Sequence, residues 1–367
     1  MYADKLILQT SNWQDFTNKL KDVSKKRGMR HMGNVYERLV QLYLQTNPKY
    51  KSILKNVWLL NEVSPSLKEK LNLPEADEGI DLIAVTNDNE YWAIQAKYRS
   101  NPNETLTMGG FGGLSTFSSL AFHTCKNISH GLVCTTTSNP PKKLNLLGNV
   151  GFETYDSWIG LDDFNGEGWQ LIKSQAKGKI VVPKPFTPRP HSKKAIAKAY
   201  EYFVKKKNAR GKLIMPCGTG KTITGFWIAQ KLNAKNILIA VPSLALLKQT
   251  LQVWTREFLI HNIKPDWICV CSDESAGSLE QDDFVAHTYD LGVECTTNQK
   301  DIVSFLKQKS NMKVVFTTYQ SGKVTGLASN KAKFTYDLGI LDEAHKTVGH
   351  GKKMMAYLLH QNNIKIK

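Results

Sequence analysis

Lys212-Leu213-Ile214-Met215-Pro216-Cys217-Gly218-Thr219-Gly220-Lys221-Thr222 decides the fold. A short apolar run, a glycine loop, Lys-Thr and a helical pattern over 222–232 give the order strand, phosphate loop, helix. Glycines let backbone N–H groups converge on phosphate oxygens, and the helix that follows turns its positive end to the same place. Gly218, Thr219 and Gly220 form that cradle. Lys221 is placed to meet the β and γ phosphates of ATP, and Thr222 to meet Mg²⁺. The full pattern has Gly six residues before the Lys, and Met215 stands there instead. Downstream, Gly339-Ile340-Leu341-Asp342-Glu343-Ala344-His345 runs an apolar strand into two carboxylates. Asp342 can hold Mg²⁺ through water and Glu343 can polarise an attacking water.

Working outward, apolar runs at 236–241, 267–271, 313–318 and 336–341 read as strands, and 244–258 has helical periodicity. Strands alternating with helices predict a doubly wound parallel α/β sheet, with ligands at the carboxyl ends of its strands. Upstream lies a stretch rich in proline and lysine, Lys179 to Pro190, which cannot continue a helix or a central strand. The expected organisation is therefore a first domain over 1–172, a basic linker over 173–190 and a second domain over 191–367. From Lys173 to Lys212 there are thirteen basic residues against one acid, whereas 253–300 carries nine acids against three bases. A basic band within a chain of net charge +17 favours contact with a polyanion. Lys205-Lys206-Lys207 could touch phosphates, although solvating a helix end is the plainer reading.

The first domain begins with a helix over 34–45, followed by strands at 80–86 and 91–98 joined by Asn87-Asp88-Asn89, a helix over 114–122 and a strand at 131–137. This predicts a mixed α/β domain. Strand residues two apart share a face, so Gln95 and Lys97 project together beside Asp81 of the paired strand. Asp81 can bind Mg²⁺ and Gln95 can add a carbonyl ligand. Lys97 can orient the attacking water or offset charge building on phosphate. Glu37 on the earlier helix is a further candidate carboxylate. From spacing alone, a hairpin with a polar outer face is the competing reading. Gly109-Gly110-Phe111-Gly112-Gly113 reads as a connector that could let the backbone approach DNA. The six cysteines show no metal-ligand spacing and read as thiols of a reducing compartment. No long apolar run and no leader pattern are present, so the expectation is a cytoplasmic protein that does not span a membrane.

Two resemblances sharpen these readings. Leu341-Asp342-Glu343-Ala344-His345, Ala240-Val241-Pro242-Ser243 and Thr317-Thr318-Tyr319-Gln320-Ser321 resemble motifs of superfamily 2 DEAD/DEAH helicases, over roughly 186–367. The resemblance implies one RecA-like lobe that binds ATP. It also implies a nucleic-acid backbone track at Pro242, Ser243, Thr318 and Tyr319. Pro188-Arg189-Pro190-His191-Ser192 resembles the entry motif of that family, which implies that Arg189 belongs to the nucleotide site; Ser192 replaces the Gln that reads adenine. Glu78-Gly79-Ile80-Asp81 with Trp92-Ala93-Ile94-Gln95-Ala96-Lys97 is similar to the Mrr-like branch of the PD-(D/E)xK nucleases, a restriction-endonuclease-like fold, over roughly 28–160. That similarity implies metal-dependent catalytic roles for Glu37, Asp81, Gln95 and Lys97.

The order of parts resembles the N-terminal portion of type ISP and type I-like restriction enzymes. This implies double-stranded DNA as partner, ATP and Mg²⁺ as cofactors, and methyltransferase and target-recognition modules in the same or another chain. It also implies that the second lobe and the motifs after the second would lie beyond Lys367. The alternatives are a helicase fragment whose first domain only binds DNA, and an inactive truncated product.

Overall fold

The computed structural model describes residues 1–75, 79–109, 113–141, 147, 149–273, 287–344 and 356–367. Glu78, His345 and Gly110 to Gly112, singled out by the sequence, lie outside the described residues. The chain divides into two compact units, Met1–Pro183 with Tyr289–Glu294, and Lys184–Thr288 with Cys295–Lys367.

The first unit opens with four helices, α1 (Tyr2–Leu8), α2 (Trp13–Arg27), α3 (Met29–Thr46) and α4 (Pro48–Ile53). The Asn12 side chain accepts the Asp15 N–H and starts α2, and Gly28, at φ +86°, separates α2 from α3. Met32, Val35, Tyr36, Leu39, Val40 and Tyr43 recur at helical spacing and are buried, so α3 is the hub of its layer. Next come β1 (Leu54–Leu59), α5 (Pro65–Leu71), β2 (Leu82–Thr86), β3 (Tyr91–Lys97), α6 (Leu114–Ser119), β4 (Ile128–Thr135), β5 (Val150–Glu153), α7 (Tyr155–Ile159) and α8 (Asp163–Ala176). The sheet order is β1-β2-β3-β4-β5, antiparallel from β1 to β3 and parallel from β3 to β5. The unit is therefore mixed α/β, as the sequence predicts, and its sheet is mixed in strand direction. Ile83, Ala93, Val133 and Phe152 on one face pack with Leu114 and Phe117. The other side is covered by α3, against which α8 packs, and there Trp158 of α7 stacks on Trp13 and meets Tyr36 edge-on.

In the second unit α9 (Pro190–Tyr200), α10 (Lys221–Lys231), β6 (Asn236–Val241), α11 (Leu244–Ile260), β7 (Asp266–Val270), α12 (Gln299–Lys307), β8 (Lys313–Thr318), α13 (Gly322–Lys331) and β9 (Leu338–Leu341) follow in order. The sheet runs β7-β8-β6-β9 and is parallel throughout. The central strands β6 and β8 are buried along almost their whole length, as a sheet covered on both faces requires.

Two expectations are corrected. Residues 212–215 do not form a strand: Ile214 is 92% exposed and Leu213 49%. A strand needs a neighbour. Tyr336, two residues before the edge strand β9, forms an isolated parallel bridge to Ile366, and no strand pairs with 212–215 among the described residues. The linker is also shorter than expected. Helix α8 runs through Lys173 to Ala176, with the Lys173 ammonium on the Thr10 carbonyl, and Pro190 already opens α9.

Candidate functional sites

The first site lies where β2 and β3 begin their pairing. The backbone of Asp81 is held on both sides, its N–H donating to Ile94 and its carbonyl accepting from Leu60. Its carboxylate accepts the Ala96 N–H at 2.6 Å and so lies along β3, between Gln95 and Lys97. Gln95 is 1% exposed; its Nε2 donates to the Gly79 carbonyl at 2.7 Å, and its Oε1 is buried with no hydrogen-bond partner. Lys97 is half-buried at the end of β3, opposite Thr135 of β4. The structure thus brings Asp81, Gln95 and Lys97 together. Glu37 comes from α3, half-buried, next to Tyr36, whose ring meets Tyr98 edge-on just past β3.

Among the described residues no group of three or more His, Cys, Asp or Glu is disposed to hold a metal. A cation here would rest on Asp81 and an amide oxygen, with any other donor from elsewhere. The orphaned Gln95 Oε1 fits that role, because a buried carbonyl oxygen without a donor is a hard ligand left open. Sequence reasoning missed Gly79 as a site residue. The only signal was a glycine directly before Ile80-Asp81.

The second site is the phosphate loop. Gly218 and Gly220 take φ of +72° and +82°, which an L side chain resists, and Lys221 opens α10 directly after them. The Thr219 hydroxyl donates to the Pro216 carbonyl at 2.7 Å, and Nε2 of His191 donates to the Thr219 carbonyl at 3.0 Å. These bonds shape the loop. Thr222 is half-buried on the first turn of α10. The Lys221 ammonium is paired with the Glu343 carboxylate, which raises its pKa above the usual lysine value. Glu343 itself sits at φ +49°, and its N–H donates to the Asp342 carboxylate at 2.9 Å. Asp342 is anchored in turn: its N–H donates to Ala240, and its carbonyl accepts the Tyr319 hydroxyl at 2.7 Å. Arg189 is exposed immediately before α9. Ser192 is buried, its hydroxyl on that of Thr224 at 3.0 Å, so it packs against α10 and presents nothing to a base.

Pro242, Ser243, Thr318 and Tyr319 follow or end strands β6 and β8, at the carboxyl edge where Asp342 also lies. All four are buried. The Ser243 hydroxyl caps α11 by accepting the Leu246 N–H, and Tyr319 is used to hold Asp342. Only the Thr318 hydroxyl, of these four side chains, is buried without a hydrogen-bond partner. The basic residues Lys193, Lys194, Lys198, Lys205, Lys206, Lys207, Arg210 and Lys212 are all exposed, and Lys206 pairs with Glu201 at 3.2 Å. None of the six cysteines is in a disulfide.

Residues 185–366 match the family described as type III restriction enzyme, res subunit, and residues 45–148 match a restriction endonuclease family. None of the curated proteins matches the chain. Among solved structures, the ATP-dependent type ISP restriction-modification enzyme LlaBIII bound to DNA is similar over 97% of this chain, with a TM-score of 0.72 and 24% identity. That likeness shows the fold, and this chain spans 22% of the length of LlaBIII. A nuclease-deletion mutant of the type ISP enzyme LlaGI, in complex with a DNA substrate mimic, is 30% identical over 50% of this chain and 17% of its own, with a TM-score of 0.36.

Proposed function

We propose that this chain, which joins a restriction-endonuclease domain to a res-type helicase domain, hydrolyses phosphodiester bonds of duplex DNA with Mg²⁺ and couples that cutting to ATP. The observation that carries the reading is the Gln95 amide oxygen, buried and unsatisfied beside Asp81. Asp81 and Gln95 would hold Mg²⁺. Bound there, the ion supplies positive charge to the phosphate and lowers the cost of deprotonating the attacking water. Lys97, one strand period beyond Gln95, positions that water or offsets charge growing on the phosphate. Glu37 is the candidate for an additional carboxylate. Methyltransferase and target-recognition modules outside these residues would select the DNA.

In the second unit, the N–H groups of Gly218 to Thr222 and the Lys221 ammonium would bind the β and γ phosphates of ATP. Thr222 and Asp342 would hold the accompanying Mg²⁺, and Glu343, once released from Lys221, would polarise water. Arg189 would flank the nucleotide. Pro242, Ser243, Thr318 and Tyr319 line the carboxyl edge on which a nucleic-acid track would run, and their burial means that the backbone there must open for contact.

Plasmid nicking tests the nuclease reading: Mg²⁺-dependent cutting is expected, and Asp81→Ala and Lys97→Ala should each abolish it. Robust cutting by both variants would sink the assignment. Among the described residues no group of three or more His, Cys, Asp or Glu surrounds Asp81, which favours a second reading, a first domain that only binds DNA. It predicts salt-sensitive DNA binding with no cleavage in any divalent metal.

A further inference from the structure

We infer that the Gly79 carbonyl selects glutamine over glutamate at position 95, and so sets the charge with which this site meets a divalent cation. The inference rests on the metal-dependent nuclease reading of Asp81, Gln95 and Lys97.

The Gly79 carbonyl oxygen lies 2.7 Å from Gln95 Nε2, inside the protein. A carbonyl oxygen only accepts, so the atom facing it must donate. This decides which end of the Gln95 amide goes where. With nitrogen on Gly79, Oε1 is turned away, buried and without a partner. The flipped amide would oppose two acceptors at Gly79 and turn an N–H₂ group toward the cation position, which costs on both counts.

A glutamate side chain in place of Gln95 has no N–H. One carboxylate oxygen would face the Gly79 carbonyl at the distance of a hydrogen bond, in a position that is 1% exposed. Two acceptors so placed repel, and burial adds a desolvation cost for the charged form. The introduced carboxyl would relieve this by keeping its proton and donating it to Gly79. It would then be neutral, as glutamine is, until the solution became basic enough to remove the proton.

Residue 79 is itself restricted to glycine: its φ is +120°, a conformation L side chains rarely adopt, and an added Cβ would meet Gln95 Nε2 at 3.4 Å. Gly79 and Gln95 therefore form a matched pair. Of the Asp81 and Gln95 pair, only Asp81 then brings a formal negative charge to the cation, and Gln95 brings a neutral oxygen. Cation affinity in such a site should vary little with pH above the titration range of a carboxylate.

The test is calorimetric titration of the full chain with Mn²⁺ alone, at about pH 6 and about pH 8.5, without DNA or nucleotide. The component of binding that Asp81→Ala removes reports this site. In the wild-type chain that component should change by less than about threefold between the two pH values. In Gln95→Glu it should strengthen by more than about tenfold as pH rises, because a proton must leave before the cation binds. The thermal midpoint of metal-free Gln95→Glu should also fall relative to wild type from the lower to the higher pH. Gln95→Met, which keeps the bulk and has neither donor nor oxygen, should show no such pH dependence. Binding and melting of Gln95→Glu that track wild type at both pH values would overturn the selection by Gly79 alone. No Asp81-dependent Mn²⁺ binding in the wild-type chain would overturn the nuclease reading, and the inference with it.

Discussion

Lys221 and Glu343 occupy each other at the phosphate loop. The lysine that should meet phosphate and the carboxylate that should meet water are each neutralised by the other. Glu343→Gln should therefore tighten binding of a non-hydrolysable ATP analogue by about 3- to 10-fold, since a half-exposed ion pair is worth about 1 kcal/mol, and should lower hydrolysis. Fluorescence titration reads the first effect; unchanged affinity would show that the pair does not compete with nucleotide. His130 offers a separate test. It is buried, with Nδ1 on the Asn149 side chain at 3.0 Å and Nε2 without a partner. Burial chiefly, with some help from Lys49, lowers its pKa from 6.5 to about 4. On acidification the unfolded chain takes up this proton first. Its contribution is thus fully present above about pH 6.5 and is lost as pH falls toward 4, by about 3 kcal/mol. His130→Gln should flatten that part of the urea-unfolding stability profile; a profile as steep as wild type would assign the loss to other groups. At this scale the sequence showed Asp81, Gln95 and Lys97, because a period of two is visible in one strand. It hid the bonds of Gly79 and His191, because they depend on where other segments return.

Helix α11 shows how an element can be held from outside itself. The Arg256 guanidinium lies 3.9 Å from the Phe186 ring centroid, and it donates to the Lys184 carbonyl at 2.7 Å and to Glu257 Oε1 at 3.0 Å. Glu257 is fully buried, and desolvation raises its pKa even beside that arginine. Arg256→Ala would remove its closest positive charge and free the start of the second unit. The expected loss is about 2–4 kcal/mol in chemical denaturation of the chain, and a change below about 0.5 kcal/mol would contradict it. The element pattern was largely legible: β6, β8, α10 and α11 lie where apolar runs and helical periodicity put them. The exception is instructive. Lys212-Leu213-Ile214-Met215 has the composition of a strand, yet strand formation is a property of pairs, and composition does not report whether a partner edge is available. The helix expected over 114–122 likewise ends at Ser119 and continues as a wider turn, Leu120–Thr124, a change of hydrogen-bond register that periodicity cannot show.

At the scale of the whole molecule, the first unit includes Tyr289–Glu294. Lys49 and Glu153 form a buried pair at 2.6 Å, Tyr43 donates to the same carboxylate at 3.1 Å, and Lys49 and Tyr50 donate to the carbonyls of Leu291 and Gly292 at 2.7 and 3.0 Å. Gly292 has φ +62° and no room for a Cβ, which would fall 2.6 Å from the Glu153 carboxylate. A fragment ending at Pro183 lacks this segment and leaves Lys49 and Tyr50 short of those acceptors. It should melt well below the corresponding transition of the full chain in calorimetry; equal midpoints would show that the segment adds nothing. Lys49→Met in the full chain should cost about 3–5 kcal/mol, because Glu153 would stay buried without its cation. Nothing in the sequence announced this return, since Tyr289-Asp290-Leu291-Gly292-Val293-Glu294 carries no motif and its partners lie far upstream.

That return has a consequence for the order of events during synthesis. Lys49 must wait for Leu291, which is 242 residues further along the chain. A nascent polypeptide emerging at about 5–20 residues per second offers the sheet of the first unit early, but its last polar partners arrive only after β6 and β7 have been made. The domain that carries Asp81 and Gln95 is thus finished late, when much of the phosphate-loop domain is already off the ribosome.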